Sequence, residues 1–152
     1  RRYKTDFWRI ADTVAVGATI TTSFIRFGNF ANSEILGRPA DLPWSVVFTR
    51  IDAIPRHPSQ LYEAAIGFIC FGIMYYSFRK NRESVPSGYF FWLFMFLYFS
   101  MRFMVEFVKD VQSEFTAAET FLTMGQWLSL PLALLGLYKI ITTKRIYKVP
   151  QS

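Results

Sequence analysis

Residues 89–99 read YFFWLFMFLYF, a run of eleven aromatic and aliphatic residues without a charged side chain. The apolar character continues to residue 108, with Arg102 and Glu106 as the charged exceptions. An α-helix rises about 1.5 Å per residue, so about 20 such residues cross the roughly 30 Å hydrocarbon core of a bilayer. The stretch 87–108 therefore predicts a membrane-spanning helix.

Three further stretches of similar length predict spans, at residues 7–26, 59–78 and 120–141. The first is rich in Thr, Ala and Gly, which is typical of a helix packed against other helices. Pro131 predicts a kink in the last of them. The expected fold is all-α, a polytopic integral membrane helix bundle with about four transmembrane helices. It forms a single transmembrane domain over residues 1–152.

The amino-acid composition excludes several classes of protein and of site. Apolar residues make up 52% of the chain, and seventeen Phe exceed what a small soluble core could bury, so a bilayer is the expected solvent. The net charge is +6, but the basic residues lie at the ends of apolar runs, which favours membrane orientation over nucleic-acid binding. Cys70 is the one Cys and His57 the one His, which excludes an internal disulfide and a multi-His or Cys-based metal site. We expect neither a metal nor a cofactor.

The placement of Lys and Arg predicts the orientation of the chain. Basic residues collect before the first span, between the second and third, and after the fourth, whereas the loop between the third and fourth is acidic. The positive-inside rule then places the C-terminus in the cytoplasm and the segment between the first two spans outside. The residues concerned are Arg1, Arg2, Lys4 and Arg9; Arg79, Lys80 and Arg82; Lys139, Lys144, Arg145 and Lys148; and the acidic Asp110, Glu114 and Glu119.

A first polar cluster follows the first span, where residues 25–37 read IRFGNFANSEILG. Burying Arg26, two Asn and Glu34 near lipid is costly unless each group is paired, so such a cluster usually faces an internal polar cavity. Gly28 and Gly37 permit tight turns or the close approach of a ligand. The alternative is an ordinary interfacial loop with an arginine that reaches toward the headgroups.

A second polar cluster, PRHPSQLYE, occupies residues 55–63. Ser59 can cap the following helix and Glu63 falls in its first turns, which is a sufficient structural account of both residues. Arg56 and His57 at an outer membrane surface have no such account. His57 is either a general base or, as is more common for a lone His, a hydrogen-bonded surface residue.

The third and fourth clusters belong to the last two spans. Tyr98, Arg102 and Glu106 are spaced i, i+4 and i+8, so they form one helical stripe of about 12 Å that should face the bundle interior. The alternative is an ion pair that only holds the bundle together. Residues 124–131 read MGQWLSLP and form the fourth cluster. Its polar residue Gln126 is either part of a functional site or a group that only forms a hydrogen bond between helices.

All four clusters fall toward the outer side in the predicted orientation. This coincidence predicts a single polar cavity open to the outer leaflet, with Arg26, Arg56 and Arg102 as candidate anion ligands. Guanidinium groups suit phosphate, and a phospholipid headgroup is the natural anion at that depth. A non-catalytic lipid-binding module and a transporter fragment are alternatives on the same evidence.

Taken together, these segments resemble the prolipoprotein diacylglyceryl transferases of bacterial inner membranes. The resemblance rests on residues 26–37, on RHPSQLYE at 56–63, on Tyr98-x3-Arg102-x3-Glu106-Phe107, and on MGQWLSLP, all in matching order. It implies that the chain is the C-terminal half of a protein with roughly seven helices. The chain begins at an Arg and not at Met, and we expect the family's N-terminal spans and their His-Gly motif, often assigned the proton-abstracting role, in a missing part.

The resemblance also implies a reaction, the first step of bacterial lipoprotein maturation. The diacylglyceryl group of phosphatidylglycerol moves to the thiol of a lipobox cysteine in a preprolipoprotein, a thioether forms, and glycerol phosphate leaves. The expected partners are phosphatidylglycerol, the lipobox peptide and membrane lipids, and the expected state is a monomer. The active site is expected toward the periplasmic leaflet of the inner membrane.

Site residues follow from the resemblance by position. The expected catalytic residues are Arg26, Arg102, Tyr98 and Glu106. The expected residues that bind phosphatidylglycerol are Arg26, Asn29, Glu34, Gly37, Arg56, Arg102 and Gln126. In this reading Glu106 holds Arg102 in place.

Overall fold

The computed structural model describes residues 6–110 and 122–147, with side chains as far as residue 143. Four helices carry most of this part of the chain, and a small two-stranded sheet lies between the first two. The elements are α1 (Phe7–Ala31), β1 (Val46–Val47), β2 (Pro55–Arg56), α2 (Ser59–Asn81), α3 (Tyr89–Val105) and α4 (Met124–Tyr147). Outside the described residues lie Arg1, Arg2, Lys4, Glu114, Glu119 and Lys148, and the side chains of Lys144 and Arg145.

The predicted membrane helix bundle is confirmed. Helices α2 and α4 are each long and apolar enough to cross a membrane, and α3 is a shorter apolar helix of 17 residues. Helix α1 has 25 residues but is too polar to meet the same criterion. Its buried face instead carries small side chains, Ala15, Thr19 and Ser23, which suit close contact with α2 and α3, against both of which it packs.

Polar as well as apolar side chains are fully buried in this bundle, and large apolar side chains cover its surface. The fully buried side chains include Gln60, Ser59 and Ser129, whereas Ile69 and Leu134 on the helix surfaces are 62% and 57% exposed. A soluble protein rarely exposes apolar area on this scale. The apolar exterior therefore fits a hydrocarbon surrounding, and the polar groups collect where helices meet.

The predicted ends of the helices differ from the observed ones. Helix α1 continues to Ala31, five residues past the predicted end, because the charge of Arg26 is paired inside the bundle and does not require water there. Helix α3 ends at Val105, not at 108, and helix α4 begins at Met124, not at 120. Helix α4 also continues through Pro131, where a kink was predicted.

An acidic side chain of α1 caps the N-terminus of α3. Asp12 is 3% exposed, and its two carboxylate oxygens accept hydrogen bonds of 2.8 Å from the backbone N–H groups of Gly88 and Phe91. Gly88 has φ +87°, a conformation that favours glycine. Because Arg9 also donates to the carbonyl of Arg82 at 2.6 Å, the start of α1 and the α2–α3 loop lie at one end of the bundle.

The segment between α1 and α2 crosses the opposite end of the bundle. Its strands pair antiparallel, with Val46 opposite Arg56, a feature that the sequence did not predict. Gly37 forms an isolated bridge with Lys109, which joins this segment to the turn after α3. The ends of α1 and α3 and the starts of α2 and α4 therefore come together here, and these are the places where the polar clusters occur.

Candidate functional site

Glu63 is the centre of the polar end of the bundle. Its side chain is 4% exposed and lies between two cations from other parts of the chain. Oε1 forms an ion pair of 2.5 Å with Nζ of Lys109, and Oε2 is in ion-pair contact with Nε of Arg26, although that N–H is not aligned for a hydrogen bond. A buried carboxylate is stable only with such partners. One acidic group thus joins the ends of α1, α2 and α3.

A narrow cleft opens beside this cluster. It is lined by residues of α1, α2 and α3. The lining residues are Thr22, Arg26, Glu63, Tyr98, Met101 and Arg102. The cleft brings together Tyr98 and two of the three arginines that the sequence singled out, Arg26 and Arg102.

Arg102 has a free guanidinium in this cleft. It forms no hydrogen bond or ion pair with any residue in the described part of the chain. The two Nη groups of Arg26 likewise donate no hydrogen bond within residues 6–110 and 122–143. Arg26, Arg102 and Lys109 are three cations around the single carboxylate of Glu63, so the site is net positive. This arrangement suits an anion with several oxygen acceptors.

Tyr98 forms part of the cleft wall one helical turn before Arg102. Its ring stacks on that of Phe94 at a centroid distance of 5.4 Å and meets the ring of Phe99 edge-on at 5.2 Å. These contacts fix the ring, since aromatic pairs prefer offset-stacked and edge-to-face geometries.

The expected contact between Glu106 and Arg102 is wrong. No ion pair joins them in the structure, and Oε1 of Glu106 instead accepts a hydrogen bond of 3.1 Å from the hydroxyl of Thr123. Glu106 is the C-cap of α3, with helical backbone angles, and its N–H donates to the carbonyl of Arg102 at 3.2 Å. Its carboxyl group lies against Gly125 at the N-terminus of α4, where the helix dipole favours negative charge.

Gln126 has a local structural role at the same helix end. Oε1 of Gln126 accepts from the backbone N–H of Thr123 at 3.0 Å, and the hydroxyl of Thr123 accepts from the N–H of Gln126 at 3.3 Å. This is the reciprocal capping box of a Thr-x-x-Gln sequence, a signal that sequence analysis could have used to place the start of α4. Gln126 is 2% exposed and is not among the residues that line the cleft.

Arg56 also lies outside the cleft. Its guanidinium pairs with Asp52 at 2.7 Å and with Asp110 at 2.9 Å, and it donates to the carbonyl of Gly37 at 3.4 Å. The hydrogen bond from Arg56 lowers the pKa of Asp52, and the bond to Asp52 raises the pKa of Arg56. These pairs account for an arginine on the side where the positive-inside rule does not expect one.

The loop after α1 links Asn29, Glu34 and Gly37 to the start of α2. Nδ2 of Asn29 donates to Oε2 of Glu34 at 3.0 Å, while Oδ1 of Asn29 is buried without a hydrogen-bond partner among the described residues. The carbonyl of Glu34 accepts from the buried side chain of Gln60 at 2.6 Å. A Cβ on Gly37 would lie 2.2 Å from the carbonyl oxygen of His57, so close packing requires glycine there.

Backbone strain marks the same loop. Ile35 has φ +53°, a left-handed conformation that is rare for a β-branched residue, and Ser33 has φ +59°. Such conformations persist only where the surroundings impose them, and they cluster at functional sites.

The sequence left two alternatives for His57, a general base or a hydrogen-bonded residue. In this structure His57 is hydrogen-bonded. Its Nδ1 lies 3.2 Å from the hydroxyl of Tyr62, which accepts from Nε1 of Trp44 at 2.9 Å. His57 does not line the cleft. Within the described residues, no group of three or more His, Cys, Asp or Glu side chains could hold a metal ion.

The functional cluster contains two residues that the sequence did not single out for it. Glu63 had a sufficient explanation as a residue of a helix start, and Lys109 was not singled out as a site residue. The available signal was their charge beside apolar spans, since a buried charge requires a partner. Charge alone does not show with which residue Glu63 or Lys109 pairs.

Comparisons with known proteins agree on one family. The family model described as "Prolipoprotein diacylglyceryl transferase" matches residues 1–142. Proteins named phosphatidylglycerol–prolipoprotein diacylglyceryl transferase are 42% identical over 138 residues in Bacteroides fragilis and 42% over 139 residues in Tolumonas auensis. The one in Zymomonas mobilis is 38% identical over 138 residues.

These alignments cover 90–91% of this chain and 48–53% of the relatives. The chain thus spans about half the length of the curated relatives it matches.

Proposed function

Because this chain belongs to the prolipoprotein diacylglyceryl transferase family, we propose that the full-length protein carries out the transfer named for its relatives. The diacylglyceryl group of phosphatidylglycerol moves to the thiol of a lipobox cysteine in a preprolipoprotein, as the first step of lipoprotein maturation. The observation that carries this proposal is the unpaired guanidinium of Arg102 in the same cleft as Arg26.

The charge of the cleft matches what the reaction requires. A bond forms between the cysteine sulfur and the glyceryl carbon, the bond from that carbon to a phosphate oxygen breaks, and glycerol phosphate leaves with an additional negative charge. A positive site placed where that charge develops lowers the barrier. Arg26 binds the headgroup through its free Nη groups, and Arg102 stabilises the leaving phosphate. A planar guanidinium suits two phosphate oxygens at once.

The thiol must also lose its proton, because a free thiol with a pKa near 8.5 is mostly protonated at neutral pH. His57 hydrogen-bonds Tyr62 and does not line the cleft, so we propose that the family's His-Gly motif, which is not in this sequence, takes this proton.

The other site residues divide by what they touch. Tyr98 lines the cleft and hydrogen-bonds the lipid or the thiol. Asn29, Glu34 and Gly37 shape the strained loop after α1. Three further residues position these elements: Glu106 and Gln126 at the start of α4, and Arg56 between Asp52 and Asp110.

The chain lies in a membrane as a multi-pass bundle, and we propose the bacterial inner membrane with the C-terminus in the cytoplasm. The Lys and Arg residues around the α2–α3 loop support this orientation. The cleft then opens toward the periplasmic leaflet, where phosphatidylglycerol and an exported lipobox peptide can both reach it. The proposed state is a monomer, since α1, α2 and α3 of one chain form the cleft.

A transfer assay tests the proposal. Full-length protein in mixed micelles is given phosphatidylglycerol labelled in its acyl chains, together with a lipobox peptide. Label should appear on the peptide through a thioether bond, which survives reagents that cleave thioesters. Glycerol phosphate should be released in equal amount. A peptide with Ser in place of the lipobox Cys serves as the control. Absence of labelled peptide with the wild-type protein contradicts the proposed function.

A further inference from the structure

The buried carboxylate of Glu63 contacts Arg26 in a way that leaves part of the guanidinium free. The contact is made through Nε, and neither Nη group donates a hydrogen bond within the described residues. We propose that Glu63, with Lys109, is a positioning residue that holds Arg26 so that its Nη groups meet the anionic headgroup. This inference rests on the proposed function, because it assigns Arg26 to phosphatidylglycerol.

The burial of the three side chains supports a fixed geometry. Glu63 is 4% exposed, Lys109 9% and Arg26 18%, so water provides little competition for the two ion pairs. Ion pairs at exposed surfaces fix side chains poorly because water competes with them, and these two pairs are shielded from that competition. Arg26 is the most exposed of the three, and it lines the open cleft together with Glu63.

Lys109 keeps the site positive. A carboxylate paired with Arg26 alone would offset the charge that the phosphate needs, but the second cation on Oε1 compensates for it. The backbone of Lys109 is itself fixed, since its carbonyl accepts from Nε of Arg38 at 2.8 Å and it forms a bridge with Gly37. The segment after α1 therefore holds the backbone of Lys109, and the ion pair with Glu63 holds its ammonium.

Two roles for Glu63 predict opposite effects of one substitution. Glu63→Gln removes a negative charge and makes the cleft more positive. If the carboxylate only adjusted the net charge, the KM for phosphatidylglycerol would fall, because an anion binds a more positive site more strongly. If Glu63 positions Arg26, KM rises despite the added positive charge, because the guanidinium is no longer fixed.

The experiment measures KM and kcat for phosphatidylglycerol with full-length protein in mixed micelles. We expect Glu63→Gln to raise KM about tenfold and to change kcat less than about twofold, because the contact acts on binding. The double variant Glu63→Gln/Lys109→Gln has the wild-type net charge and should keep the raised KM. Glu63→Asp retains the charge at a shorter reach and should give an intermediate KM. Glu83→Gln makes the same chemical change at an exposed ion pair and should leave both constants unchanged.

A KM that is unchanged or lower in Glu63→Gln overturns the proposal, and so does recovery of the wild-type KM in the double variant. If Glu63→Gln does not accumulate as folded protein in membranes, the test uses Glu63→Asp, and an unchanged or lower KM in that variant overturns the proposal. Should the wild-type protein catalyse no transfer, the proposed function fails by itself. The positioning role is then tested by binding to phosphatidylglycerol vesicles against phosphatidylcholine vesicles, where equal binding by wild type and Glu63→Gln overturns it.

Discussion

The carboxylate of Glu106 accepts a hydrogen bond from the hydroxyl of Thr123 at 3.1 Å. This contact joins the end of α3 to the N-terminus of α4, and it leaves Arg102 without an acidic partner among the residues that the structure describes. Because Arg102 forms no ion pair with a described residue, its guanidinium is free to bind an incoming anion. Arg102 is therefore the residue whose substitution tests the site most directly.

Arg102→Ala in the full-length protein should reduce transfer by at least about a hundredfold, since it removes a group that stabilises charge on the leaving phosphate. The protein should remain folded in membranes, because Arg102 holds no other described residue in place. Arg102→Lys is the sharper variant: it keeps the charge but loses the planar fork, and most of the activity should be lost as well. Normal transfer by Arg102→Ala is incompatible with the assigned role.

Gly125→Ala should reduce transfer while hardly changing stability. The added Cβ would lie 2.6 Å from the carboxyl carbon of Glu106, and the mobile end of that side chain can move away. We expect a loss of about tenfold in kcat/KM, because small displacements at a site have large effects on rate. The matched control is Gly72→Ala, where a Cβ meets nothing within 4 Å. Equal activity in the two variants would exclude a role for the Glu106 position.

Gly136→Ala should lower stability. Its Cβ would lie 2.7 Å from the backbone nitrogen of Phe96, and backbone in a packed helix cannot move away as a side-chain end can. The expected cost is about 1–3 kcal/mol, typical of overpacking between helices. Thermal unfolding in detergent measures it, with Gly72→Ala as the control that should be neutral or slightly stabilising, since Ala favours helix over Gly. Similar unfolding temperatures for the two variants would contradict the close α3–α4 packing.

Asp12→Ala should loosen the start of α3. It removes both acceptors for the N–H groups of Gly88 and Phe91 and leaves these donors without their partner in a mostly apolar setting. The expected loss is about 1–3 kcal/mol, measured by thermal unfolding. Asp12→Asn keeps one acceptor and should be affected less. Glu83→Gln, at an exposed pair, provides the baseline. An Asp12→Ala protein as stable as that baseline would show that the cap contributes nothing.

Cysteine labelling tests the orientation in intact cells. In a Cys70→Ala background, Asp41→Cys lies in the exposed segment between α1 and α2, and Glu83→Cys lies in the α2–α3 loop at the other end of the bundle. A membrane-impermeant thiol reagent should label the first from outside and the second only after lysis. The opposite pattern would invert the proposed topology and place the cleft toward the cytoplasm.

The membrane helix bundle could be predicted from the sequence because a bilayer acts on each residue locally. The run YFFWLFMFLYF indicates a span whatever lies next to it. Helix ends were less accurate, since they depend on partners. Helix α1 passes Arg26 because Glu63 pairs with it, and α4 begins where Thr123 and Gln126 cap each other. The Thr-x-x-Gln capping pattern can itself be recognised in the sequence.

The sequence by itself determined the number and order of the helices, the family, and the placement of Arg26, Tyr98 and Arg102 at one end of the bundle. Only the tertiary structure decided which charges pair. Glu63 pairs with both Arg26 and Lys109, and Arg56 pairs with Asp52 and Asp110. Arg102 forms no ion pair with a described residue. The physical reason is the range of the two interactions. Hydrophobicity is a property of each segment, whereas an ion pair requires two side chains within a few ångströms, which helix packing alone sets.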